Sequence, residues 1–167
     1  MTLQQFNKLT EHEAKEELLK CCGSSNWSAK LASFIPFDSV DDLLAASDKI
    51  WSQVSENDVL EAFQHHPKIG DLKSLEKKFA STKEWASGEQ AAVNAASKSM
   101  IESLASGNEK YEKKFGFIFV VCATGKSAQE MLELLVHRLP NNRSDEIKIA
   151  AAEQNKITHI RITKLFS

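Results

Sequence analysis

Apolar residues in this chain recur every three to four positions almost from end to end, and only one run breaks that rhythm. That periodicity is the spacing of one buried face on an α-helix. Thr10 with Glu13 reads as a capping box that opens a helix to about Leu19, and Gly23 ends it. Trp27, Leu31 and Phe34 continue at helical spacing until Pro36. Asp38 is the candidate N-cap of a helix carrying Leu43, Leu44, Ile50 and Trp51. Ser55 with Asp58 starts a short helix through Phe63, which must stop before Pro67 because proline disfavours the α region for the residue before it. Leu72, Leu75 and Phe79 suggest another short helix. A long one follows from about Gly88 to Leu104, closed by Gly107. Helical spacing returns at Tyr111 to Phe115. Ser127 with Glu130 opens a helix of Met131, Leu132, Leu135 and Leu139, and after Pro140 and the NNRS loop a last helix runs to about Thr163.

The exception is 115-FGFIFVVCATG-125, which is apolar, aromatic and β-branched with glycine near both ends. A lone strand has nothing to pair with, so an extended buried segment near 116–122 is expected. The fold class is therefore all-α: a single-domain bundle of roughly seven to nine helices over residues 1–167, with no internal repeat and no linker.

The 167 residues are enough to bury a core without disulfides or a structural metal. A formal net charge of −2, with acids and bases interspersed, argues against a nucleic-acid or membrane-surface protein, which would carry a basic stripe. No apolar run is long enough for a transmembrane helix. Cys21, Cys22 and Cys122 are an odd count with one adjacent pair, a poor disulfide framework. Together with an N-terminus that lacks a signal-peptide core, they point to a reducing, cytoplasmic setting.

No phosphate loop, H-E-x-x-H, C-x-x-C or G-x-S-x-G motif is present. His65 and His66 are adjacent, and adjacent helical residues point about 100° apart, so the pair is a poor source of two ligands to one metal ion. His66 stands between a helix end and Pro67, with Gly70 allowing a turn just after it. A helix C-terminus favours a protonated ring, and histidine is readily poised for proton transfer near neutral pH. The same residues also fit a plain helix stop. Glu89 lies four residues before Val93 and seven before Ala96, on the apolar face of its helix, where a carboxylate has to be paired or protonated. It equally fits a helix N-terminal charge, and Ser87 with Gln90 forms an S-x-x-Q capping pattern. Arg161 flanks the apolar side of the last helix, where it would either present its planar fork to a carboxylate or form a surface ion pair. Arg143 reads as an exposed capping residue. In 117–123 only the backbone could bind a polar ligand.

Four blocks occur in order: His66-Pro67-x-Ile69-Gly70, Glu89-Gln90-Ala91, Phe119-x-x-Cys122-Ala123 and Ile157-x-x-x-Arg161-Ile162. Together they resemble the OHCU decarboxylase family, enzymes acting on 2-oxo-4-hydroxy-4-carboxy-5-ureidoimidazoline. The resemblance implies an all-α, cofactor-independent and commonly dimeric enzyme whose partner is a small ureidoimidazoline substrate, with no metal. It implies His66 as the catalytic histidine and Glu89 as its partner. It implies a pocket lined by Pro67, Ser87, Gln90, the backbone of Ile118, Phe119, Val120, Val121 and Cys122, and Arg161. Ala86 stands where the family usually has serine, with Ser87 beside it. The alternative from the residues alone is a non-catalytic all-α interaction domain. The two differ in whether His66, Glu89 and Arg161 converge.

Overall fold

Serine and threonine side chains set most of the helix starts. In the computed structural model, which describes residues 1–66 and 90–167 (backbone only for 90–97), eight α-helices are present. They are α1 (Leu3–Phe6), α2 (Glu11–Cys21), α3 (Ser25–Ala32), α4 (Val40–Trp51), α5 (Glu56–Gln64), α6 (Gln90–Phe115), α7 (Ala128–Arg138) and α8 (Arg143–Leu165). Full capping boxes open α1 at Thr2, α2 at Thr10, α5 at Ser55 and α7 at Ser127. Each satisfies backbone donors that the first turn leaves without helical partners. Ser24 and Ser39 cap α3 and α4 by accepting from Trp27 N–H and Asp42 N–H.

Three expectations need correction. The N-cap of α4 is Ser39, not Asp38, because the hydroxyl one residue later meets the Asp42 amide. Phe34 lies beyond the end of α3 and is 59% exposed, so it is not part of that helix's buried face. Gly107 does not close a helix: α6 runs through it to Phe115. A Cβ at Gly107 would collide with the Leu135 side chain, so this glycine lets α6 and α7 approach closely.

The described residues fall into two compact units, one of Met1–His66 with Ile149–Ser167 and one within Pro67–Lys148. In the first, Phe6, Leu18, Trp27, Leu31, Leu43, Phe63 and Ile162 are buried. Asn7 pairs both ways with the Phe37 backbone, donating from Nδ2 to the carbonyl at 2.8 Å and accepting the amide at 3.0 Å. Trp51 Nε1 donates to the Ala151 carbonyl at 3.0 Å, tying α4 to α8.

In the second unit, residues 117–123 take neither helix nor strand form, and Phe117, Phe119, Val120, Val121 and Cys122 are buried. The segment is thus buried and irregular, and it pairs with no strand among the described residues. Tyr111 packs against Phe115, Phe117 and Phe119, with ring centroids 4.6, 5.9 and 5.1 Å away. Beneath the segment lies a buried ion pair: Arg138, 4% exposed, donates from Nε to Glu146, which is fully buried, at 2.5 Å. Burial, reinforced by the neighbouring Glu146 carboxylate, raises the Tyr111 phenol far above its ordinary value. It stays protonated and donates to the same carboxylate oxygen at 2.5 Å, while Asn141 Nδ2 donates to the other at 2.9 Å. Arg138 also donates to the Val120 carbonyl at 2.8 Å.

Among the described residues, no helix is long and apolar enough to cross a membrane.

Candidate functional site

His66 is placed by the way α5 stops. His65 is the C-cap, with its N–H on the Ala62 carbonyl at 3.3 Å, and the His66 N–H closes the next turn on Phe63 at 3.2 Å. His65 is exposed, yet its ring covers Gly23 so closely that any Cβ there would overlap it. Gly23 therefore serves the approach of the α5 end to the chain after α2. His65 is thus a packing neighbour of that segment.

The His66 ring is half-buried, and its Nε2 hydrogen-bonds Oε1 of Gln154, 88 residues along the chain. Gln154 is fully buried on α8. Its Nε2 donates to Thr158 Oγ1 at 3.2 Å, and the Thr158 hydroxyl donates back to the Gln154 carbonyl at 3.0 Å. Gln154, Thr158 and Arg161 follow at positions i, i+4 and i+7, one stripe of the helix. Arg161, partly buried, donates from one guanidinium nitrogen to the Cys21 carbonyl at 3.3 Å, at the negative C-terminal end of α2.

Burial holds the His66 pKa below its ordinary 6.5, Arg161 and His65 push it further down, and the bond to Gln154 opposes them. The ring is thus neutral at pH 7, contrary to the protonated form expected from a helix C-terminus alone. Desolvation outweighs the weak field of a two-turn helix. Burial also pushes the thiols of Cys21 and Cys22 up to about 11, which leaves them protonated and poor nucleophiles. Among the described residues, no group of three His, Cys, Asp or Glu is placed to hold a metal ion.

The structure brings His66 and Arg161 into one unit, near enough for the guanidinium to act on the ring. Ile118, Phe119, Val120, Val121 and Cys122 belong to the second unit, with Ile118 half-buried. Two of that segment's carbonyls already have internal donors: Arg138 on Val120, and Lys126 Nζ on Cys122 at 2.9 Å. Pro67, Ser87 and Glu89 lie outside the described residues, and so does the side chain of Gln90, although its backbone begins α6. Arg143 is exposed as expected, and it caps the last carbonyl of α6 rather than the start of its own helix. Its Nε donates to the Phe115 carbonyl at 3.2 Å, and the side chain of Asn142 accepts the Asp145 N–H instead. Gln154 and Thr158 were not legible as functional. Their only trace in the sequence is polar character at four and seven residues' spacing on the stripe that ends at Arg161.

The model of the OHCU decarboxylase family matches residues 7–163. An Arabidopsis thaliana protein, "Uric acid degradation bifunctional protein TTL", is 39% identical over 92% of this chain and 47% of its own length. A Bacillus relative, also a uric acid degradation bifunctional protein, is 31% identical over 99% of the chain and 32% of its own length. The chain thus spans less than half of each of these two relatives. A 2-oxo-4-hydroxy-4-carboxy-5-ureidoimidazoline decarboxylase of Haloferax volcanii is 30% identical over 100% of the chain and 97% of its own length. A crystal structure of OHCU decarboxylase in the presence of (S)-allantoin superposes with a TM-score of 0.73 at 38% identity, covering 90% of this chain and 97% of that one. With its helices, its histidine at the α5 terminus and its arginine on α8 in place, this chain belongs to the OHCU decarboxylase family.

Proposed function

We propose that this protein catalyses the cofactor-independent decarboxylation of 2-oxo-4-hydroxy-4-carboxy-5-ureidoimidazoline to (S)-allantoin and CO2 in urate degradation. The observation that carries the reading is the neutral, half-buried His66 beside the Arg161 guanidinium, within a member of this family. In the substrate the carboxylate sits on a ring carbon next to a C=N bond. When the bond to the carboxylate breaks, its electron pair moves into that imine, so the substrate is its own electron sink. The imine nitrogen takes up a proton, and a second adds at the ureido-bearing carbon while the ring hydroxyl loses its own and becomes a carbonyl, a net uptake of one proton. His66 handles the proton, Glu89 fixes the imidazole or the ureido group, and Arg161 anchors an anionic or carbonyl oxygen. Pro67, Ser87, Gln90 and the backbone of Ile118, Phe119, Val120, Val121 and Cys122 complete the pocket. Handedness follows from the face that the proton reaches.

The chain works as one OHCU decarboxylase-like domain, a reading supported by the unbroken family match over residues 7–163. It acts as a cytoplasmic homodimer, with the three free, buried cysteines in keeping with a reducing compartment. The test is to generate the substrate in place from urate with urate oxidase and hydroxyisourate hydrolase, then add this protein. Faster formation of optically active allantoin is expected. Unchanged formation of racemic allantoin contradicts the reading.

A further inference from the structure

The three hydrogen bonds around Gln154 have directions that can be worked out one from another. The Thr158 hydroxyl has a single proton, and it goes to the Gln154 backbone carbonyl at 3.0 Å, a group that can only accept. Its oxygen is then left to accept. The Gln154 side chain meets that oxygen at 3.2 Å, and only its NH2 end can donate there. The amide oxygen must therefore face His66. An amide oxygen cannot donate, so the ring nitrogen it meets, Nε2, carries a hydrogen. Gln154 is fully buried and Thr158 is 2% exposed, so water does not compete for these bonds.

In a neutral imidazole one nitrogen bears the proton and the other a lone pair, and the partner of one fixes the role of the other. We infer that Gln154, itself held by Thr158, is a positioning residue that locks His66 in the Nε2–H tautomer and leaves Nδ1 as the nitrogen through which the proton passes. The bond persists when the ring is protonated, because both nitrogens then donate. Gln154 thus selects the reacting nitrogen in both charge states and holds the ring plane while Nδ1 gains or loses its proton. This rests on the reading of His66 as the proton-handling residue.

The test is the two-bond ¹H–¹⁵N correlation of the His66 ring in uniformly labelled full-length protein at pH 7.5, assigned by its loss in His66→Gln. A protonated Nε2 and a lone-pair Nδ1 are expected. A protonated Nδ1 in the neutral ring overturns the inference. Gln154→Leu removes the acceptor and should give a mixture of tautomers, with kcat lowered by roughly 10- to 100-fold, part of what a positioned acid–base group supplies, and KM little changed. Gln154→Glu keeps an acceptor oxygen and should keep the single tautomer. An unchanged tautomer and kcat in Gln154→Leu overturns the positioning role. If that variant does not fold, the wild-type and Gln154→Glu spectra decide. A fully active His66→Gln enzyme overturns the catalytic reading itself, whichever tautomer the wild type shows. A reversed tautomer in an enzyme that needs His66 overturns only the role of Gln154.

Discussion

His66 on the end of α5 and Gln154 in the middle of α8 share a hydrogen bond between a ring N–H and a buried amide oxygen. The bond orients an imidazole that burial, Arg161 and His65 hold neutral. An orienting bond and a lowered pKa together make a group that is available to exchange a proton near neutral pH.

That lowered pKa carries a stability signature. Above the unfolded-state value of about 6.5, the ring is neutral folded and unfolded, and its titration costs nothing. As pH falls below that value the unfolded chain takes up a proton that the folded ring still refuses, so stability falls until the lower folded-state pKa is reached. His66→Gln removes this dependence. Urea denaturation of wild type and variant at pH 7.5 and pH 5.5 should show the wild type losing more stability on acidification than the variant does. Equal losses would mean that the ring is not held neutral.

A glycine supports the site from behind. A methyl group at Gly23 would overlap the His65 ring, and overpacking of this kind costs roughly 1–3 kcal/mol. Gly23→Ala should therefore lower the denaturation midpoint and, by displacing the residue next to His66, lower kcat, while the circular dichroism spectrum stays helical. Removing the obstacle in Gly23→Ala/His65→Ala should recover part of the lost stability, because the two sites share one contact. Strictly additive losses would show that the contact is not the cause.

The second unit depends on its buried ion pair. Glu146→Ala leaves the Arg138 guanidinium, 4% exposed, without its carboxylate. Breaking a buried pair from one side costs on the order of 3–5 kcal/mol. Denaturant titration should show a loss of that size. The double replacement Arg138→Met/Glu146→Leu should cost less than the sum of the single changes, since no lone charge is left behind. A loss under about 1 kcal/mol for Glu146→Ala would place the pair among weak surface contacts.

The parts of this molecule that can be read from the sequence are those whose causes are local. The boxes at Thr10, Ser55 and Ser127 are complete within four residues, and the structure has all three. The run from Phe115 to Gly125 had the composition of a strand but no partner, and the buried, irregular form of residues 117–122 is in keeping with that. What escaped depends on distant partners. Gly107 looks like a helix stop until Leu135 is seen against it. Arg138 and Glu146 look like surface charges on either side of a turn, because nothing nearby in sequence reveals that Tyr111, Val120 and Asn141 surround them. Gln154 is an ordinary helical glutamine until His66 meets it. His66 and Arg161 drew attention through local constraint and family resemblance, and a partner for His66 could come only from the fold. Glu89, Ser87 and Pro67, which the resemblance also names, lie outside the described residues.

The central claim is that His66 handles the proton in a stereoselective decarboxylation. Its most direct test is the optical activity of allantoin formed from urate with urate oxidase and hydroxyisourate hydrolase, with wild-type protein and with His66→Ala in parallel. The wild type should produce the (S) enantiomer quickly. The variant, still helical by circular dichroism, should give no more than the slow racemic background, a loss of at least ~10²-fold in rate. Rapid formation of (S)-allantoin by His66→Ala would contradict the account.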